Sequence, residues 1–171
     1  MGAKNSVLTG AAGEAYVLYQ IQHRGLLAAF SPPNAFAADI LVFSPAMQVG
    51  SMVQVKTRTS GADGGWHMSE KHERLVHPRL FYAFVDLQPS VPTVHVIPSA
   101  IVAEVVTRSH RAWLGLPGVH GQVHRDTALR RVAPHFPHAV PGYPDGWLAA
   151  YLDRWDYLTA EPADGELVKG S

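Results

Sequence analysis

Residues Val53–Thr59 read VQVKTRT, in which apolar and polar residues alternate and the polar positions are Gln54, Lys56 and Arg58. Strand side chains alternate between faces, so an amide, an ammonium and a guanidinium share one face while Val53, Val55 and Thr57 share the other. Such a row is either the wet side of a sheet or a working surface.

The sequence before it bears on the choice. Ala38-Asp-Ile-Leu-Val-Phe43 reads as a strand, and Ser44-Pro45 with Gly50 frames a turn into the strand Met52–Arg58, so the two are expected to form a hairpin. Asp39 is enclosed by Ala37, Ala38, Ile40, Leu41 and Val42. A carboxylate there costs several kcal/mol unless a cation, a metal or hydrogen-bond donors neutralise it. Lys56 on the next strand is one candidate, either as an inert ion-pair partner or as part of a site. Further upstream, Ser6–Arg24 carries Val7, Leu8, Ala11, Ala12, Ala15, Leu18, Tyr19 and Ile21 mostly at spacings of three and four, with Gly25 as a stop, which predicts a helix. Glu14 lies on it between Gly13 and Ala15, small neighbours that permit close approach to another element. It is a candidate for the same site or a solvated helix residue.

The remaining elements follow from the same signals. Leu26–Phe30 reads as a short strand ended by Pro32-Pro33, and Ser60–Gly65, SGADGG, as a flexible loop. Ser69 is placed to cap a two-turn helix over residues 70–76, stopped before Pro78. Leu80–Leu87 is nearly all apolar, as in a central strand buried on both faces. Thr93–Ile97 is another strand, and Pro98-Ser99 opens a helix to about Arg108. Residues 109–145 read as loop, and Trp147, Leu148, Tyr151, Leu152, Trp155 and Leu158 as a helical apolar stripe. The order predicts an α/β chain with a mixed sheet flanked by helices. It reads as a single domain over residues 1–160, with a core of about 6–108, a C-terminal extension over 109–160 and a disordered tail over 161–171.

Composition narrows the chemistry. The chain has 171 residues, 47% of them hydrophobic and 16% charged, as in ordinary globular proteins. With no cysteine, thiol nucleophiles, disulfides and thiolate metal sites are excluded, so any metal must sit on oxygen or imidazole. No apolar run reaches membrane-spanning length and MGAKNS lacks the features of a signal peptide, so a cytoplasmic protein without membrane association is expected. Net charge is zero, yet residues 1–131 hold 12 Lys/Arg against 8 Asp/Glu. Arg108, Arg111, Arg125, Arg130 and Arg131 stand against the single acid Asp126 in that stretch, which makes it a candidate for phosphate contacts. Trp66, Lys71 and Arg74 follow the glycine loop, where Trp66 is placed either to stack on a base or to cover the core, and the two cations to meet phosphate.

Other chemistries fit poorly. His72 and His77 are five apart, not the four of H-E-x-x-H; Gly10–Gly13 lacks G-K-[ST]; and no G-x-S-x-G occurs.

Glu14, Asp39 in AADILVF, and Gln54-Val55-Lys56 in VQVKTR, on elements in this order, resemble the PD-(D/E)xK nuclease superfamily. The likeness is greatest to its small bacterial endonuclease-like members with a Q-x-K variant, and it covers residues 6 to about 87. Ala38 stands where the motif has Pro, and Gln54 where it has a carboxylate. The resemblance implies a restriction-endonuclease-like core of helix, three strands, helix and strand. It also implies hydrolysis of DNA phosphodiesters with Mg²⁺ or Mn²⁺ held by Asp39, the Gln54 side-chain oxygen, the Val55 carbonyl and Glu14. In that reading Lys56 orients or deprotonates the attacking water and Arg58 clamps a phosphate. The C-terminal stripe with Trp147, Tyr151 and Trp155 either caps the core or builds a dimer interface, and a homodimer would let a nuclease cut both strands. Losing the carboxylate at 54 removes one negative charge from the site. The alternative is therefore a weakened nuclease fold that serves as a DNA-binding or protein-interaction module.

Overall fold

The computed structural model describes residues 2–33, 37–44, 48–59 and 64–159. Helix α1 (Gly2–His23) leads into strands β1 (Ala28–Phe30), β2 (Ile40–Phe43) and β3 (Val49–Arg58). Then come β4 (Trp66–Ser69), a 3₁₀ turn (Glu70–Glu73), β5 (Leu80–Asp86), β6 (Thr93–Pro98), α2 (Ser99–Leu114) and β7 (Leu129–Val132). Two 3₁₀ segments, Trp147–Tyr151 and Trp155–Leu158, close the order.

The main sheet has five strands in the order β1-β2-β3-β5-β6. The expected β2–β3 hairpin forms, with Ile40 opposite Val53 and Val42 opposite Ser51. β3 and β5 are parallel and β5 and β6 antiparallel, so the sheet is mixed and its twofold-buried strand is β5, which is buried at every position. Each face has its own core. Val17 and Ile21 of α1 cover Val53, Val55, Phe81, Ala83, Val85, Val94 and Val96, with Trp155 and Leu158 beside them. On the other face Val102, Val105 and Val106 of α2 meet Tyr82, Phe84 and Ile97, together with Trp66, Met68, Val132, Trp147 and Leu148. Each fully buried Val or Ile contributes about 1.5–3 kcal/mol relative to exposure.

Five sequence expectations are corrected. The 69–76 segment is a single 3₁₀ turn rather than a two-turn helix, and the Ser69 side chain makes no capping bond. α2 runs past Arg108 to Leu114: Ser109 is buried against the core, while Arg108 and Arg111 lie exposed on the helix exterior. Within the expected loop, Leu129–Val132 pairs with Trp66–Ser69 as a separate two-stranded ribbon. The C-terminal stripe is two short 3₁₀ segments: Leu152 bridges to His95, the Asp153 N–H donates to Val94 at 2.9 Å, and Asp153 takes φ 52°. A helix cannot continue through those bonds. Val7, Leu8 and Tyr19, assigned to the apolar stripe of α1, are exposed. Most of the SGADGG stretch and the whole 161–171 tail lie outside the described residues. Among the described residues no helix is long and apolar enough to cross a membrane.

Candidate active site

β2 pairs with β3 only from Ile40 onward; the chain then bends away, held by the Asp39 N–H to the Val53 carbonyl at 2.9 Å and the Ser31 N–H to the Asp39 carbonyl at 2.8 Å. This departure leaves the next backbone groups of β3 on that edge, those of Val55, without a ladder partner. The Asp39 carboxylate fills the gap: its Oδ2 accepts the Val55 N–H at 2.7 Å and also the Gln54 side-chain amide. A residue's N–H and C=O leave an antiparallel strand on the same edge, so the Val55 carbonyl faces the same opening.

Glu14 arrives from α1. A Cβ on Gly13 would run into the Thr57 side chain, so only glycine allows the helix to lie this close to β3. Burial first, and the Asp39 charge second, push the Glu14 carboxyl above its ordinary range, while Lys56 pulls the other way. Burial holds the Lys56 ammonium below its usual value, Asp39 and Glu14 favour its charge, and the neighbouring Lys71 opposes it. Glu14, Asp39, Gln54, Val55 and Lys56 thus come together from three elements.

The donor set suits a hard divalent cation. The Asp39 and Glu14 carboxylates, a backbone carbonyl and an amide that presents oxygen once turned over are oxygen donors of the kind Mg²⁺ takes. Among the described residues no group of three or more His, Asp or Glu side chains converges, so this mixed set is what such an ion would have.

Other residues singled out from sequence are placed elsewhere. Arg58 shares the Gln54/Lys56 face but is held inside the chain: Nε donates to Asp86 at 2.9 Å, Nη1 to the Gly64 carbonyl, and the guanidinium lies 4.0 Å over the Trp66 ring. Its charge is already matched, so it does not stand out as a phosphate clamp. Trp66 is 2% exposed, packs edge-on to Phe84 and donates its indole N–H to the Val85 carbonyl at 2.9 Å; the core-covering alternative holds, and no ring face is left for a base. Arg130 is likewise buried and paired with Glu73. Arg108 is exposed and paired with Glu104 at 2.6 Å; Arg111, Arg125, Arg74 and Lys71 are exposed. Arg131 lies on the outer side of the ribbon. The basic segment is therefore not one patch.

Two features escaped the sequence reading. Asp86 is the partner of Arg58 and also accepts the Gln88 N–H at 2.9 Å, combining an ion pair with a bond that closes the turn after β5. His72, 2% exposed, is hydrogen-bonded through Nδ1 to the Tyr82 hydroxyl at 2.8 Å, and Tyr82 is the register partner of Gln54. Burial, then the charges of Lys56 and Lys71, hold its pKa down to about 4. A buried His beside two lysines carries no periodicity signal.

No family model matches the chain, and no curated protein does. Among solved structures, a bacterial homing endonuclease matches with a TM-score of 0.50 over 91% of each chain at 12% sequence identity. At that identity the likeness concerns the fold, and the fold is nuclease-like.

Proposed function

We propose that the chain is a Mg²⁺- or Mn²⁺-dependent endonuclease of PD-(D/E)xK type that hydrolyses DNA phosphodiesters, with Asp39, Gln54, Lys56 and Glu14 as its working residues. The observation that carries this reading is the meeting of these side chains, with the Val55 carbonyl, where β2 leaves β3. The nuclease-like fold supports it. Asp39, Glu14, the Val55 carbonyl and the Gln54 oxygen would hold the ion. When bound, a divalent ion supplies charge neutralisation for phosphoryl oxygens and a more acidic water.

The protein's own contribution is placement. Asp39 is fixed by two donors on one oxygen, which leaves its other oxygen the freer of the two. Gln54 sets the angle of that carboxylate. Lys56, with its proton affinity lowered by burial, is suited to hydrogen-bond an attacking water at Nζ, to share its proton and to offset charge on the phosphate. Glu14, with its proton affinity raised, is suited to accept a proton near the same opening.

The test is metal-dependent nicking of supercoiled plasmid by the purified chain and by Asp39→Asn and Lys56→Ala. A second reading, a weakened nuclease fold that binds DNA or a protein partner, is favoured by one detail: the Gln54 amide points its nitrogen at Asp39 and closes the site on itself. Binding of duplex without cleavage in either metal would select it. A cytoplasmic location, a homodimer and a single domain over residues 1–160 belong to the same proposal.

A further inference from the structure

Helix α1 has two apolar faces, and the fold uses one of them. Val17 and Ile21 turn to the sheet, with Gly13 against Thr57. Leu8, Ala12, Ala15 and Tyr19 are spaced four, three and four apart, so they line up along the far side, flanked by Val7 and Ala11. Val7 is 70%, Leu8 69% and Tyr19 55% exposed, and the three alanines are exposed as well. Between Lys4 and Arg24 the single Lys, Arg, Asp or Glu is Glu14, which belongs to the candidate site. The outward face of a helix on a globular protein ordinarily carries charge; this one carries none. At the nearby edge of the sheet Phe30, 51% exposed, is the register partner of Ile40 and therefore lies on the side that α1 covers.

Charge, symmetry and area select what covers this face. Nucleic acid needs cations, and the stripe has none. A membrane surface takes a helix whose opposite face is polar and wet, whereas the opposite face of α1 is in the core. A second copy meets the face with itself, and a face without charge opposes no like charges when it does so. The four-three-four spacing also reads the same in both directions. Two α1 helices crossing antiparallel about a two-fold axis set Leu8 against Tyr19 of the partner subunit and Ala12 against Ala15 of the partner subunit, and alanines at the crossing let the axes approach closely. A fully buried Val or Leu removes about 60–120 Å² and an aromatic side chain about 150–250 Å². At their exposures Val7, Leu8, Tyr19, Phe30 and the alanines then offer about 500 Å² per copy, or about 1,000 Å² across the pair, the least that a specific dimer needs. The aromatic C-terminal stripe offers no rival surface, since Trp147 and Trp155 are 8% and 5% exposed and cap the core.

We propose that the outer face of α1, with Leu8, Ala12, Ala15 and Tyr19 at its centre, is the surface on which two copies of this chain meet as an antiparallel helix pair. The inference gives a surface to the homodimer of the functional reading above and rests on that part of it alone. With so small an area the dimer is a weak one that forms at micromolar concentration.

The experiment is sedimentation equilibrium of the full chain from about 1 to about 200 μM, beside Leu8→Ser, Ala12→Glu, and Ala12→Glu combined with Ala15→Lys. The parent should pass from the 18.6 kDa of one chain to twice that mass over this range. Leu8→Ser should weaken association by roughly tenfold, and Ala12→Glu should weaken it further. The double variant faces each new carboxylate with an ammonium across the two-fold axis and should recover to within about tenfold of the parent. These positions are exposed, so melting curves at the lowest concentration should agree within about 2 °C and show that the variants fold. A parent that stays monomeric throughout overturns both the interface and the homodimer. A dimer that Leu8→Ser and Ala12→Glu leave unchanged keeps the homodimer and overturns this interface, and a double variant no tighter than Ala12→Glu overturns the antiparallel pairing. The nuclease reading fails separately: a chain that dimerises as described but never cuts DNA with either metal keeps the interface and loses the catalysis.

Discussion

The Asp39 carboxylate takes the Val55 backbone N–H at 2.7 Å, replacing with a side chain the ladder bond that β2 stops supplying one residue earlier. A structural need and a chemical one therefore fall on the same group, and substitution can separate them. Asn at 39 keeps an acceptor for Val55 and drops the charge. Asp39→Asn should melt within about 1 kcal/mol of the parent while nicking falls at least a hundredfold. Asp39→Ala, which strands the Val55 N–H, should lose about 1–2 kcal/mol as well. Urea denaturation beside a plasmid assay separates these outcomes.

Glu14 is expected to trade stability for placement. Its carboxyl titrates above the ordinary range in the fold, so the folded state binds the proton more tightly than the unfolded state does. The stability that goes with this is full below the unfolded pKa, near pH 4, and is lost as pH rises through the folded value. Glu14→Gln stays neutral throughout. It should match the parent at pH 4 and melt about 1–3 °C higher at pH 7.5, while nicking drops. A melting point that falls at pH 7.5 would show that the carboxylate is favourably paired.

Gly13 should tolerate no side chain, because its Cβ would occupy the place of the Thr57 side chain. Gly13→Ala in a plain helix would be stabilising by up to about 1 kcal/mol, whereas overpacking here should cost about 1–3 kcal/mol and push Glu14 away from the site. Denaturant melts of Gly13→Ala beside Gly10→Ala, where nothing lies within 4 Å, give the comparison directly.

Acid should weaken the fold through His72. Its pKa is held down to about 4, below the usual 6.5, so between those values the unfolded chain binds a proton that the folded chain does not. Stability is then full above pH 6.5 and falls as pH drops toward 4, by on the order of 2–3 kcal/mol for this one group. His72→Gln should flatten the pH dependence of denaturation in that window, and an unchanged slope would count against it.

Removing Asp86 should leave the Arg58 guanidinium half-buried under Trp66 without its counter-ion. Asp86→Ala is expected to cost about 2–4 kcal/mol, and Arg58→Met with Asp86→Ala together less than the sum of the two alone. A double-mutant cycle in urea reads the coupling.

How much of this the sequence carried depended on whether the signal was local. Gly25 ends α1 at φ +81°, and period-two alternation put Gln54, Lys56 and Arg58 on one face, so the helix, the hairpin and the Asp39–Lys56 neighbourhood were all legible within a few residues. The small residue beside Glu14 did mark a close approach, to Thr57. The β4–β7 ribbon was not legible, because Trp66–Ser69 pairs with a segment over sixty positions away that contains two arginines, and a buried arginine such as Arg130 reads as surface until Glu73 is found beside it. Trp147–Leu158 misled for the opposite reason: its apolar spacing suits a helix, but long-range bonds from Leu152 and Asp153 to β6 break it.

The central claim is that the polar row of β3 works with Asp39 on a phosphodiester. It is tested most directly by incubating the purified chain with supercoiled plasmid in Mg²⁺ and in Mn²⁺, with and without EDTA, beside Asp39→Asn and Lys56→Ala variants of unchanged melting temperature. The account predicts nicking that needs the metal and is lost in both variants. Nicking that persists in Asp39→Asn, or no nicking of supercoiled, branched or single-stranded DNA in either metal, would contradict it.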